Sequence, residues 1–148
     1  MAESVIIVVS VDDEPNWRAL VSARLERTDG IELVGTAAGL AEARAVIAAT
    51  RPQVLLLDLH LRDGNGIDFV RELADYDSPP AVVILSATRP GAAVREALDA
   101  GAVAYLDKAR SRAEMTTAIR AAAAGRTLLG EAVVEALVTE IRASGGGA

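Results

Sequence analysis

The chain has 148 residues, 51% of them hydrophobic, enough for one well-buried core and at most an appendage beyond it. A net charge of -6 argues against a segment that grips phosphate backbones or an anionic membrane unaided, and 3% aromatics argues against a stacking platform for bases. There is no cysteine, which excludes disulfides, thiolate metal sites and thiol redox chemistry.

Met1-Ala2-Glu3-Ser4 lacks the basic region of a signal peptide, and the apolar run Val5 to Val11 is too short to span a bilayer, so no membrane association is expected and the expected location is cytoplasmic. That first run, almost continuously apolar, reads as a strand buried on both faces. Pro15 suits the first turn of a following helix, on which Trp17, Leu20, Val21 and Leu25 share one face. Asp29-Gly30 breaks the chain before Ile31 to Ala37, a run that carries Glu32 and reads as a strand nearer an edge. Arg51-Pro52 precedes the apolar run Val54 to Leu57, and Ile67, Val70 and Leu73 mark the next helix. Ser78-Pro79-Pro80 introduces the run Ala81 to Leu85, followed by Val94 and Leu98 one helical turn apart. The last apolar run, Ala102 to Leu106, is followed by the stripe Met115, Ala118, Ile119 and Ala122.

Strand and helix thus alternate five times, which implies an α/β fold with right-handed crossovers and a parallel sheet covered by helices on both faces. Gly125 and Gly130 bracket a short break, and Glu131 to Arg142 reads as an extra C-terminal helix. Val134, Leu137, Val138 and Ile141 line one side of it, a stripe that needs a partner, either its own domain or a second copy of the chain.

Ligands of such sheets sit at the carboxyl ends of the strands. There the first strand delivers Asp12 and Asp13, the third Asp58, the fourth Ser86 and the fifth Lys108. Three carboxylates in one place repel one another unless a cation is present, which points to a hard divalent ion bound by oxygen, Mg²⁺ being the usual choice. A lysine and a hydroxyl beside them supply what the equatorial oxygens of a phosphoryl group need. Taken one by one, each residue also has a plainer reading. Asp13 could cap the first helix, Ser86 could cap the fourth, Asp58 could belong to the turn implied by Asp63, Gly64 and Gly66, and Lys108 could be a surface lysine.

Four strings resemble the receiver domain of two-component response regulators: Ile7 to Pro15 with Asp12-Asp13-Glu14, Leu55 to Leu61 with Gly66 eight positions after Asp58, Ile84-Leu85-Ser86-Ala87, and Gly101 to Lys108. The resemblance covers roughly residues 4 to 125 and, around Asp58 and the tail, is to the NarL-type subfamily, whose members usually carry a LuxR-like helix-turn-helix after the receiver. It implies a flavodoxin-like, doubly wound five-stranded sheet of order 2-1-3-4-5, with residues 4–125 as the receiver and 126–148 as a linker helix and flexible tail. It further implies that Asp58 accepts a phosphoryl group from a sensor histidine kinase. Mg²⁺ would be held by Asp13, Asp58 and the backbone carbonyl of His60, with Asp12 acting through water. Ser86 and Lys108 would contact phosphoryl oxygens, and Tyr105 would be the aromatic that turns inward as Ser86 moves. Ala87 would leave the phosphoryl group accessible, and Thr88 and the His60 side chain stand where they could tune hydrolysis. A homodimer is a possible output state, and contact with DNA would come only through a C-terminal domain outside this chain.

One position departs from the family pattern. Arg62 stands where a proline usually follows the acceptor by four residues, so the loop is expected either to be more mobile or to carry a charge beside the site. Two other classes fit less well. A haloacid-dehalogenase-type phosphatase would have a second aspartate where His60 stands, and a flavin-binding module would not have Asp12-Asp13-Glu14 after its first strand, where these acids would repel the phosphate. A receiver-like module that acts without phosphorylation is a further alternative.

Overall fold

The computed structural model describes residues 4–87, 91–109 and 112–145. Along the chain come β1 (Ile6–Val11), α1 (Pro15–Glu26), β2 (Ile31–Ala37), α2 (Leu40–Thr50), β3 (Val54–Asp58), the short β4 (His60–Leu61) and β5 (Gly64–Asn65), and α3 (Gly66–Ala74). They are followed by β6 (Ala81–Ser86), α4 (Ala93–Ala100), β7 (Ala104–Asp107), a 3₁₀ turn (Arg112–Glu114), α5 (Met115–Ala123), β8 (Leu128–Leu129) and α6 (Glu131–Gly145).

The main sheet runs β2-β1-β3-β6-β7-β8, all pairs parallel, so the five principal strands stand in the expected 2-1-3-4-5 order. The sixth strand was not legible. Residues 126–130 read as a break, but Leu128 donates its N–H to the Val103 carbonyl at 3.0 Å and the two leucines extend the otherwise open edge of β7. β2 is the opposite edge and exposes Glu32, as its mixed composition implies.

The period-two alternation of the strands divides the core into two layers. Val9, Val11, Leu55, Leu57, Val82, Ile84 and Tyr105 point toward α2, α3 and α4. Val8, Val54, Leu56, Val83, Leu85 and Leu106 point the other way, onto Trp17, Val21 and Leu25 of α1 and Met115, Ala118 and Ile119 of α5. All of β3 is buried, because it is the central strand with helices on both faces.

The helix starts show which polar side chains are structural. Pro15 opens α1 as expected, but the capping position is Glu14 rather than Asp13. The cap of α4 is Ala92, so Ser86 does not serve there. Gly39 precedes α2 with no side chain to offer, and Asp63, from the β4–β5 hairpin, accepts the N–H groups of Leu40 at 2.9 Å and Ala41 at 3.3 Å in its place. These bonds hold the Asp63 carboxyl below the usual carboxylate range.

The last helix docks by a face that shares only Leu137 with its stripe. Val133 is buried and Ala136 and Leu137 pack on the core beside α4, whereas Val134, Val138 and Ile141 are exposed. Neighbours on a helix are turned by about 100°, so the i, i+3, i+4 set 133, 136 and 137 faces the core, sharing Leu137 with the stripe and leaving its other three members outward. The proposed flexibility of the tail at 146–148 falls outside the described residues.

Gly66 ties this scaffold to the rim. A Cβ there would stand 2.8 Å from both the Asp58 carbonyl oxygen and the Leu59 Cα, backbone atoms that cannot step aside. Gly66→Ala is therefore expected to lower stability by about 1–3 kcal/mol, in the range of an overpacked core position. Urea unfolding would measure it, and an unchanged midpoint would count against the close approach.

Candidate functional site

Strand register brings the acidic residues together. Val11 pairs with Leu57 across β1 and β3, so Asp12 and Asp58, the next residue of each chain segment, lie side by side. Asp58 pairs with Leu85, and Ser86 with Asp107, which places Ser86 and Lys108 on the same rim. Asp12 is 1% exposed and Asp58 6%, Asp13 is half-buried, and one oxygen of each of the three carboxylates lies within 4.8 Å of the others. Three hard oxygen donors at this separation suit a divalent cation of the Mg²⁺ or Ca²⁺ kind.

The buried positive charge is Lys108, 7% exposed and so not a surface lysine. Its Nζ donates to Asp12 Oδ2 and stands 3.7 Å from Asp58 Oδ2 and 3.9 Å from Glu14 Oε2. The Trp17 ring lies beneath it, 4.9 Å from Nζ to the ring centroid. Its backbone N–H donates to the Ser86 carbonyl at 2.8 Å, fixing the end of β7 against that of β6. One ammonium among this many carboxylates leaves the pocket negative.

Burial pushes the Asp58 carboxyl above the usual carboxylate range. The His60 N–H, which donates to Oδ1 at 3.2 Å, and Lys108 pull it down, while Asp12 and Asp13 push it up. Ser86 is fully buried, and its side chain lies close enough to the Tyr105 hydroxyl to lower its pKa. Tyr105 is itself buried on the inside of the sheet, which raises its phenol pKa. Ala87 is exposed beside Ser86, and the His60 side chain faces solvent. Thr88 lies outside the described residues. Arg62 carries its charge to the site rather than away from it, with Nε 3.8 Å from Asp13 Oδ2 and a side chain 90% exposed.

Four neighbours have places at the site that the sequence did not indicate. Trp17 read only as a core position, although its place four residues after Asp13 in the first turn of α1 puts it at the rim. Arg18 donates to the Asp12 carbonyl at 2.6 Å, Asp107 accepts the Ala109 N–H at 2.8 Å, and Asp63 anchors the hairpin next to His60. Asp63 had a signal in the bare glycine before α2, whereas the contacts of Arg18 and Asp107 are invisible without the loops.

A family model described as the response regulator receiver domain matches residues 8–120. The chain is 34% identical over 135 residues to the DNA-binding transcriptional activator DevR/DosR of Mycobacterium tuberculosis, covering 91% of this chain and 62% of that protein. It is 39% identical over 104 residues to protein-glutamate methylesterase/protein-glutamine glutaminase 1 of Caulobacter vibrioides, covering 70% of this chain and 30% of that one. The chain therefore spans less than two thirds of the length of these curated relatives. Among solved structures it resembles a LuxR-family two-component response regulator from Aurantimonas sp. SI85-9A1, with a TM-score of 0.85 and 29% identity over 93% of this chain and 98% of that one.

Two measurements address the site's electrostatics. Because the folded chain holds the Asp58 proton to higher pH than the unfolded chain does, ionising this group costs stability as pH rises from the ordinary carboxylate value through the raised one. Asp58→Asn should thus be more stable than the parent at neutral pH in chelator, lose that advantage toward acid pH, and gain less from added divalent cation. Denaturation midpoints across pH test this; a variant less stable at neutral pH without metal would refute it. Arg62→Ala should tighten divalent binding about two- to fivefold, the range of an exposed ion pair, with the difference shrinking at high salt. Calorimetric titration at two ionic strengths would read it.

Proposed function

This chain belongs to the response regulator receiver domain family, related to the NarL/LuxR-type regulators, and on that basis we propose that Asp58 is its phosphoacceptor and its phosphorylation the input of a signalling switch. The observation that carries this reading is Asp58 at the buried end of β3 with Asp12 and Asp13 in ligand range and Lys108 Nζ 3.7 Å away. An Asp58 carboxylate oxygen attacks the phosphorus of the donor, the bond from phosphorus to the donor's leaving group breaks, and an acyl phosphate forms. The family implies a phosphohistidine of a sensor kinase as donor. The chemistry is that of a protein acting on its own side chain, not of a conventional enzyme.

Asp12, Asp13 and Asp58, with the His60 carbonyl, would hold Mg²⁺, which when bound offsets the charge of the acidic pocket and of the arriving phosphoryl group. Lys108 supplies a fixed positive charge to one phosphoryl oxygen, and the Ser86 hydroxyl donates to another. Ser86 sits beside the Tyr105 hydroxyl, so a Ser86 drawn toward the phosphoryl group changes the surroundings of Tyr105 in the core against α4. That coupling is the route from local charge to a changed outer face.

Residues 4–125 form the receiver in this reading, and 126–148 lead toward an output. The DNA-binding name of one relative supports transcription as that output, through a domain beyond these residues, and the exposed Val134, Val138 and Ile141 support a homodimer. No helix among the described residues is long and apolar enough to cross a membrane.

Incubation with Mg²⁺ and acetyl phosphate should add one phosphoryl group by intact mass, lost on chelation and absent from Asp58→Asn. No gain, or an equal gain in the variant, would favour a module that acts through protein contacts alone.

A further inference from the structure

Trp17 is the chain's only tryptophan, and its position is costly for a residue that merely fills a core. It is 7% exposed, and its Nε1–H finds no hydrogen-bond partner among the described residues. Phenylalanine would pack against Val21, Leu56 and Leu106 without leaving a buried donor unpaired. What the indole adds is a broad, electron-rich face, and the group in front of that face is Lys108.

Lysine ends in a compact charge on a flexible four-carbon stem, and here three carboxylates compete for it. Only Asp12 bonds it directly; the oxygens of Glu14 and Asp58 are beyond hydrogen-bond reach. A ring face stabilises an ammonium without accepting one of its three N–H donors. It can therefore hold the charge near Asp58 and leave donors for an incoming oxygen, which another carboxylate in the same place would not.

We propose that Trp17 is a positioning residue for phosphoryl transfer, its ring holding the Lys108 ammonium between Asp12 and Asp58 with donors available to the phosphoryl group. The inference rests on the reading of Asp58 as acceptor. If that reading fails, the unmodified chain takes up no phosphoryl group; if only the role of Trp17 fails, uptake persists and the variants below behave alike.

The rate of phosphoryl gain from acetyl phosphate with Mg²⁺ is compared for the parent, Trp17→Leu and Trp17→Phe, each also combined with Lys108→Ala. Trp17→Leu should slow uptake about three- to tenfold, the factor a partly desolvated cation–π contact represents, and Trp17→Phe should recover most of it. With Lys108→Ala present, the same changes at position 17 should make no further difference. Equal rates for the Leu and Phe variants, or the same fold loss with and without Lys108, would overturn the proposal. Should Trp17→Leu not fold, the Lys108 side-chain proton resonances of the parent decide. An upfield ring-current shift of its ε-methylene protons, reduced in Trp17→Phe, supports the placement, and its absence overturns it.

Discussion

Lys108 is buried against Asp12 and within 4 Å of Asp58, and the rim around it is organised by the need to keep these charges out of water without leaving any of them alone. An isolated buried ammonium or carboxylate would shift its pKa and neutralise, so each depends on the others. The arrangement is deliberately short of balance. Negative charge exceeds positive in the pocket, which suits a divalent cation, and burial, with a smaller push from Asp12 and Asp13, raises the Asp58 carboxyl above its usual range.

The loops leaving the strands hold these charges by one repeated device. Asp12 accepts the N–H of Glu14, Asp58 that of His60, and Asp107 that of Ala109, each two residues on. An aspartate that bonds its own backbone in this way turns the chain as it leaves the sheet. Asp63 adds a longer-range tie, from the β4–β5 hairpin to the start of α2, so the segment after Asp58 is braced even though Arg62 replaces the proline typical of the family. The charge of Arg62, turned toward Asp13, is then the larger consequence of that substitution.

On the other side of the sheet, Ser86 and the Tyr105 hydroxyl lie where the rim meets the core layer that carries α4 and the docked edge of α6. The relatives that share this stretch carry names as different as DNA-binding transcriptional activator and protein-glutamate methylesterase.

Much of this was legible in the residues, because its causes are local or periodic. Nearly continuous apolar runs at 5–11, 54–57, 81–85 and 102–106, bounded by turn residues and alternating with helical stripes, read as buried strands in a covered sheet. Polar residues in the first two positions after such a run emerge at its carboxyl end, which is why Asp12, Asp13, Asp58, Ser86 and Lys108 could be assembled from the sequence. What depended on the tertiary structure was orientation across elements far apart in the chain. Whether Val133 or Val134 faces α4, whether Leu128–Leu129 finds an open strand edge, and whether Arg62 leans on Asp13 are set by neighbours that sequence spacing does not reveal. The same holds for Trp17: its apolar period marks it as buried, but only the convergence of α1 with the end of β7, 91 positions later, turns a core residue into the wall against which Lys108 rests.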